Sequence, residues 1–344
     1  MRLEPVTTVL DLSRILGFAR NSLQAPANAQ LTLARLTGGL EASGTAKAVV
    51  SWPFDSGRRS SISFVVKPVS GPGRRELDVY RAMQHTDASD ALPRLLGWDE
   101  FGSGESYMYI EWVRSIERWP WHNTEYSQSV VERLAAVHSL PTEPLRAAIP
   151  NWDYETELLK SAQETIRVFG QAAQAGTIPG SRPMLRALER VVTTLPAMRV
   201  ALHSAYPTTF LHGDVHAGNA VVQRGGGKPA SILLDWGRAR FGSPLEDVSS
   251  WLQSLGYWEF EVRRRHDTLF RHYLEASNLP DRLSPELRNL YWVAASSNAM
   301  AGALRYHSAV MNDPERTMHQ RSAAAGAVAD WLRIIRRADA CWRN

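Results

Sequence analysis

The stretch LHGDVHAGNAVV, residues 211–222, sets His212, Asp214, His216 and Asn219 between two apolar runs, with Gly213 and Gly218 among them. Two imidazoles, a carboxylate and a carboxamide within eight residues make either an ordinary polar loop or a site. The glycines argue against a helix here. The four-residue spacing of His212 and His216 therefore does not put both rings on one helix face, as a zinc site of that spacing needs. No Glu follows His212, and no third ligand lies close in sequence. The chain has no G-x-S-x-G, no G-x-x-x-x-G-K-[ST] and no G-x-G-x-x-G after a strand. Serine-nucleophile, P-loop and dinucleotide-binding chemistry thus lack their motifs.

Phosphoryl transfer from ATP fits better. His212, Asp214 and Asn219 stand on H-x-D-x-x-x-x-N, the spacing of a kinase catalytic loop. An Asp must accept the proton of the attacking hydroxyl, and a carboxamide oxygen five residues on can ligate Mg²⁺. A second carboxylate must then reach the metal from a neighbouring strand end. SILLDWG, residues 231–237, supplies Asp235 after a Gly-rich hairpin, in a D-x-G triplet. Hard oxygen ligands suit Mg²⁺.

The first third of the chain adds an independent set of groups. AQLTLARLTGG, TAKAVVSW, SSISFVVKPV and SYMYIEWV read as strands. GRRELDVYRAMQH reads as a helix, with Leu77, Tyr80 and Met83 on one stripe. Kinase chemistry needs a Lys on the third strand and a Glu on the next helix to hold it. Lys67 closes SISFVVK and Glu76 opens the helix, and Lys67 is one of only four lysines, with Lys47, Lys160 and Lys228. LTGGLEASGT, ahead of the next two strands, is a candidate phosphate-covering loop through Gly38 and Gly39.

FLHGDVHAGNAVV and SILLDWGRARFGSPLEDVSSWL together resemble the aminoglycoside phosphotransferase and choline kinase-like family, in its H-G-D-x-x-x-x-N loop and its I-D-W-x-x-x-x-x-G-x-P-x-x-D segment. EWV at 111–113 is similar to that family's hinge, and RLAAVHSLP to its helix before the substrate insert. The likeness covers roughly residues 30–255. It implies Asp214 as catalytic base, Asn219 and Asp235 as Mg²⁺ ligands, and Lys67 with Glu76 as the phosphate-orienting pair. It implies that the backbone of Glu111 and Val113 holds the adenine and that Asp247 braces the catalytic loop. ATP, with GTP as the alternative, and Mg²⁺ are the implied cofactors. His216 is expected to brace the loop rather than react.

Composition fits this reading. The chain has 344 residues, 44% hydrophobic and 22% charged, enough for two lobes. A net charge of +4 with no long Lys/Arg block gives no nucleic-acid footprint. Arg263–Arg265 is the densest basic run and reads as a solvated helix face. Cys341 is the only cysteine, so no intrachain disulfide can form. No signal peptide or membrane-length apolar run is evident, and a cytoplasmic location is the expectation.

The expected fold class is α+β, a protein-kinase-like bilobal fold. A small antiparallel N-lobe with one key helix spans 1–113. A larger helical C-lobe spans 114–344, with a catalytic hairpin and a helical acceptor insert at about 150–205. The ERWPWHNTEYS stretch is the expected junction, and the helix after it is read as starting at its serines. Gly213 stands where regulated kinases carry an Arg for activation-loop phosphates. Only eleven residues separate Asp235 from Asp247, so the enzyme is expected to be constitutively active. The acceptor is expected to be a small-molecule hydroxyl, of an antibiotic, sugar or nucleoside-type metabolite. A Ser/Thr of a peptide and a non-catalytic nucleotide-binding role are the alternatives. The acids after Leu245 are matched by arginines, which predicts a neutral, anionic or peptide acceptor rather than a polycationic one.

Overall fold

In this computed structural model the described residues are all but 1, 6–9, 38–43, 54–57, 103, 118, 177–180, 226, 259–264, 278, 280–283 and 344. The first third forms a six-stranded sheet. Its strands are β1 (Arg2–Pro5), β2 (Gln30–Thr37), β3 (Ala46–Pro53), β4 (Arg59–Ser70), β5 (Leu95–Phe101) and β6 (Glu105–Glu111), in the order β1-β2-β3-β4-β6-β5. Every neighbouring pair is antiparallel.

Side chains alternate between the two faces of a strand, and β4 separates two cores by that rule. Phe64 and Val66 join Ala48, Val50 and Tyr109 under helix α1 (Leu12–Ser22), which buries Ile15 and Ala19 against them. Val65 and Val69 face the other way. They share a core with Leu77, Tyr80 and Met83 of helix α2 (Arg75–Met83) and with the helical two thirds of the chain.

Beyond the sheet the chain is mostly helical. Helices α3 (Thr124–His138), α4 (Thr142–Ala148), α5 (Tyr154–Ala175) and α6 (Ser181–Ala205) come first. Asp153 caps α5 and Gly176, at φ 70°, ends it. Two short antiparallel pairs follow: β7 (Thr209–Leu211) with β10 (Arg240–Gly242), and the hairpin β8 (Ala220–Gly225) with β9 (Lys228–Leu233). Helices α7 (Pro244–Trp258), α8 (His266–Ala276), α9 (Pro285–Asn298), α10 (Leu304–Asn312) and α11 (Met318–Arg343) close the chain, with a π turn at Ala299–Ala303. A separate core of Phe169, Leu188, Leu195, Met300, Trp331 and Ile335 ties α5 and α6 to the C-terminal helices. No helix among the described residues is long and apolar enough to cross a membrane.

Four local readings change. Arg2–Pro5 adds an edge strand, so Lys67 lies on the fourth strand in chain order. Helix α1 and strand β5 are additional elements; β5 carries Asp99 and Glu100 and a register shift between Leu95 and Gly97, which break its alternation. Helix α3 starts at Thr124, not at its serines, because Asn123 accepts the Glu125 N–H and caps it three residues earlier. The SYMYIEWV strand ends at Glu111.

Candidate active site

The loop from His212 to Asn219 hangs between β7 and β8, and three buried groups fix its path. Asp247, near the start of α7, accepts the backbone N–H of His212 at 2.7 Å and of Gly213 at 2.9 Å. His138, from α3, contacts the same carboxylate at 3.2 Å and Tyr273 Oη at 2.8 Å. Burial would push the Asp247 carboxyl up, but the His138 hydrogen bond and charge hold it below the usual range. His212 is fully buried, 2.9 Å from the Leu234 carbonyl through Nε2 and 3.2 Å from the Asp214 N–H through Nδ1. A carbonyl can only accept and an N–H can only donate, so the proton is on Nε2 and the ring is neutral. Burial depresses its pKa, in agreement.

Asn219 and Asp235 sit at the same end of the β8–β9 hairpin, because Leu234 donates its N–H to Asn219 O at 2.7 Å just beyond the Ala220–Leu233 pair. The Asn219 amide nitrogen donates to the Asp214 carbonyl at 3.1 Å and lies 3.5 Å from Asp214 Oδ2. Its side-chain oxygen is thereby turned away from that contact. Trp236, fully buried and bonded through Nε1 to Leu233 O at 2.9 Å, anchors the turn that presents Asp235. Asp235 itself adopts φ 63° and ψ 71°, a left-handed conformation that costs a non-glycine residue about 1–2 kcal/mol.

Lys67 joins the sheet to this turn. Its Nζ lies 2.6 Å from Glu76 Oε2 on α2 and 2.8 Å from Asp235 Oδ1. Burial alone would lower the Lys67 pKa, but the two carboxylates raise it well above the lysine range. Burial opposes ionisation of Asp235 too, and Lys67 overrides it, holding that carboxyl below its ordinary value. Asp235 keeps Oδ2 outside the Lys67 contact, with 45% of its side chain exposed.

These donors fit Mg²⁺ in kind. One carboxylate oxygen and one carboxamide oxygen at a hairpin end match an ion that takes one or two protein ligands and completes its shell with water and phosphate. Among the described residues there is no group of three or more His, Cys, Asp or Glu that could cage a metal.

The remaining expected residues fall in different places. Glu111 ends β6 with its N–H donated to Arg94 O at 2.9 Å, and Val113 follows it, half-buried. Gly38 and Gly39 lie outside the described residues. His216 Nδ1 accepts the Gly218 N–H at 3.0 Å, a bond within the loop.

One arrangement has no motif in the sequence. Arg240 is buried on β10, donates to the Gly213 carbonyl at 3.0 Å and to Glu246 Oε2 at 2.8 Å, and stacks 3.8 Å over the Tyr154 ring. Arg199 of α6 completes the group, 3.1 Å from Glu246 Oε1 and 2.5 Å from Glu155 Oε1. The Ser243-Pro-Leu-Glu246 start of α7 is the one available signal: Glu246 Oε1 reaches back to the Ser243 N–H at 3.1 Å, as in a capping box. Helices α5 and α6 and the loop carrying Asp214 thus meet at one linked set of charges, with Arg199, Arg240 and Glu246 buried.

The sequence model of the phosphotransferase enzyme family matches residues 56–296. No curated protein sequence matches the chain. Among solved structures, a choline/ethanolamine kinase family protein from Mesorhizobium loti aligns over 96% of this chain and 98% of its own, at TM-score 0.59 and 16% identity. The GDP complex of aminoglycoside 2'-phosphotransferase-IIIa aligns over 96% and 99%, at TM-score 0.57 and 13% identity. A spectinomycin phosphotransferase with ADP and spectinomycin aligns over 98% and 100%, at TM-score 0.56 and 11% identity. At such identities the likeness is one of fold, and the fold is the protein-kinase-like one of these phosphotransferases and choline kinases.

Proposed function

We propose, from the premise that the chain belongs to the phosphotransferase enzyme family, that it moves the γ-phosphoryl group of ATP or GTP to a hydroxyl of a small molecule, with Asp214 as base. In this reading the sheet of residues 1–113 and the helical part from 114 onward enclose the nucleotide, and the insert at about 150–205 helps to bind the acceptor. The hydroxyl donates its proton to the Asp214 carboxylate as the oxygen attacks the γ-phosphorus, and the bond to the β-phosphate oxygen breaks. Lys67 presents its charge to the α- and β-phosphates, held in place by Glu76. Asn219 and Asp235 would hold Mg²⁺. The chemistry that the bound ion supplies is neutralisation of charge on the phosphate oxygens.

The observation that supports this most is Lys67 bridging Glu76 at 2.6 Å and Asp235 at 2.8 Å, from a strand, a helix and a hairpin end far apart in sequence. A structural ion pair needs only one carboxylate; a cation shared by two beside an Asp–Asn loop has the charge layout of a phosphate and metal site.

The acceptor we propose is neutral or anionic. A polycationic ligand needs free carboxylates in its cleft. Glu155 and Glu246, which link the insert to the catalytic loop, are already neutralised by Arg199 and Arg240. Incubation with γ-labelled ATP or GTP, Mg²⁺ and a panel of neutral glycosides, nucleosides, Ser/Thr peptides and kanamycin-like compounds tests both parts. Label on a neutral acceptor is the expected result. A kcat/KM near 10⁵ M⁻¹s⁻¹ for a polycationic aminoglycoside, within the usual range for a true substrate, would overturn the acceptor assignment.

A further inference from the structure

We infer that Lys47 and Trp112 frame a base subsite that selects guanine over adenine; this rests on reading Lys67 and Asp235 as the phosphate end of a nucleotide slot. Residues directly opposite in a sheet share a face. Ala34 pairs with Lys47, Lys47 with Val65 and Val65 with Ile110, so these four form one row across the sheet. Lys67 lies two residues further along β4 and therefore on the same face. The opposite face, with Ala48 and Val50, is covered by α1. Two of the four lysines in the chain thus point to one side of the sheet, one strand apart.

Lys67 is spoken for by two carboxylates, whereas Lys47 has none among the described residues. Its Nζ instead sits 4.3 Å from the centroid of the Trp112 ring. Trp112 follows the end of β6 and packs on the core that contains Val65, Ile110 and Val222. Its Nε1 is buried without a hydrogen-bond partner. The segment is pinned to the hairpin by Ile116 N–H on Val222 O at 2.9 Å. A nucleotide with its phosphates at Lys67 and Asp235 runs along this face toward Ile110–Val113, so its base arrives at Lys47 and Trp112.

The side-chain chemistry that Lys47 brings to that end is one-sided. An ammonium offers three donors and accepts nothing. Guanine presents O6 and N7 together, two acceptors, on the edge where adenine presents N7 beside an N6 amino donor. Lys47 beside the base therefore satisfies guanine and leaves the adenine amino group facing a cation, the kind of mismatch that polar sites reject strongly. The cation–π contact keeps the ammonium in place when the slot is empty.

Calorimetric titration of the intact protein with MgGDP and MgADP tests this. A charge-assisted hydrogen bond predicts MgGDP binding about tenfold tighter or more. Lys47→Met should bring the two affinities to within about twofold, the residue of a tenfold preference without its charged donor. Trp112→Phe, which leaves Lys47 a weaker aromatic face to rest on, should lower the preference without abolishing it. Equal affinities in the wild type, or an unchanged ratio in Lys47→Met, would overturn the base assignment while leaving the phosphotransfer reading intact. Binding of neither nucleotide would overturn both.

Discussion

The Gly213 carbonyl accepts a hydrogen bond from Arg240 Nη1 at 3.0 Å, and this contact leaves no room for a side chain at Gly213. A Cβ there would overlap the Arg238 carbonyl oxygen and the Arg240 guanidinium, and the backbone lies at φ +84°. Gly213→Ala should therefore destabilise the fold by roughly 2–5 kcal/mol, from overpacking and left-handed strain together. Urea unfolding checks this; a loss under about 0.5 kcal/mol, ordinary for a surface substitution, would mean that the loop can move off Arg240.

Asp235→Ala should abolish Mg²⁺-dependent nucleotide binding along with turnover, because it removes a proposed metal ligand and one of the two anchors of Lys67. Lys67→Met should also suppress turnover, and it leaves Glu76 buried without its cation. Breaking a buried pair costs about 3–5 kcal/mol, so Lys67→Met with Glu76→Gln should recover stability but not activity. Recovery of activity in the double variant would contradict the phosphate role of Lys67.

Much of this site is legible in the sequence because its chemistry is carried by residue types at short fixed spacings. His212, Asp214 and Asn219 lie on one loop, and Asp235 follows one hairpin later. Lys67 and Glu76 are legible through chain order and because lysine is so rare here. The Arg199–Glu246–Arg240 group is not. Arginine is abundant in the chain, and nothing local says that Arg199 on α6 and Arg240 on β10 will meet the same carboxylate; that depends on how the helices cross. His138 is similar: it sits in a readable helix, but its bond to Asp247 joins positions 109 residues apart. Strand β5 is hidden by its charges and its register shift. The glycine loop at Gly38 and Gly39 lies outside the described residues.

Glu246→Gln should be strongly destabilising. Glu246 is the shared partner of two buried arginines, and removing its charge leaves Arg240 without a carboxylate and Arg199 with Glu155 alone. The expected cost is about 3–5 kcal/mol, read from chemical denaturation.

Acid should weaken the fold through two buried histidines. The pKa values of His212 and His307 are both depressed by burial, that of His307 to about 4. The unfolded chain binds these protons near the ordinary histidine value of about 6.5, and the folded chain refuses them. Stability should therefore be constant above about pH 7 and fall as pH drops through about 6.5 toward 4, with a slope of up to about 1.4 kcal/mol per pH unit for each ring. His212→Asn, which keeps an acceptor and a donor but cannot titrate, should flatten part of that slope. An unchanged slope would mean that His212 already carries its proton in the fold.

The most direct measurement is single-turnover transfer of the γ-phosphoryl group to an accepted hydroxyl, comparing the wild type with Asp214→Asn at saturating Mg²⁺-nucleotide. Loss of a general base costs on the order of 10²–10⁴ in rate. That loss is expected with nucleotide affinity unchanged, because the proposed metal ligands Asn219 and Asp235 remain. Transfer at more than half the wild-type rate in Asp214→Asn would contradict it.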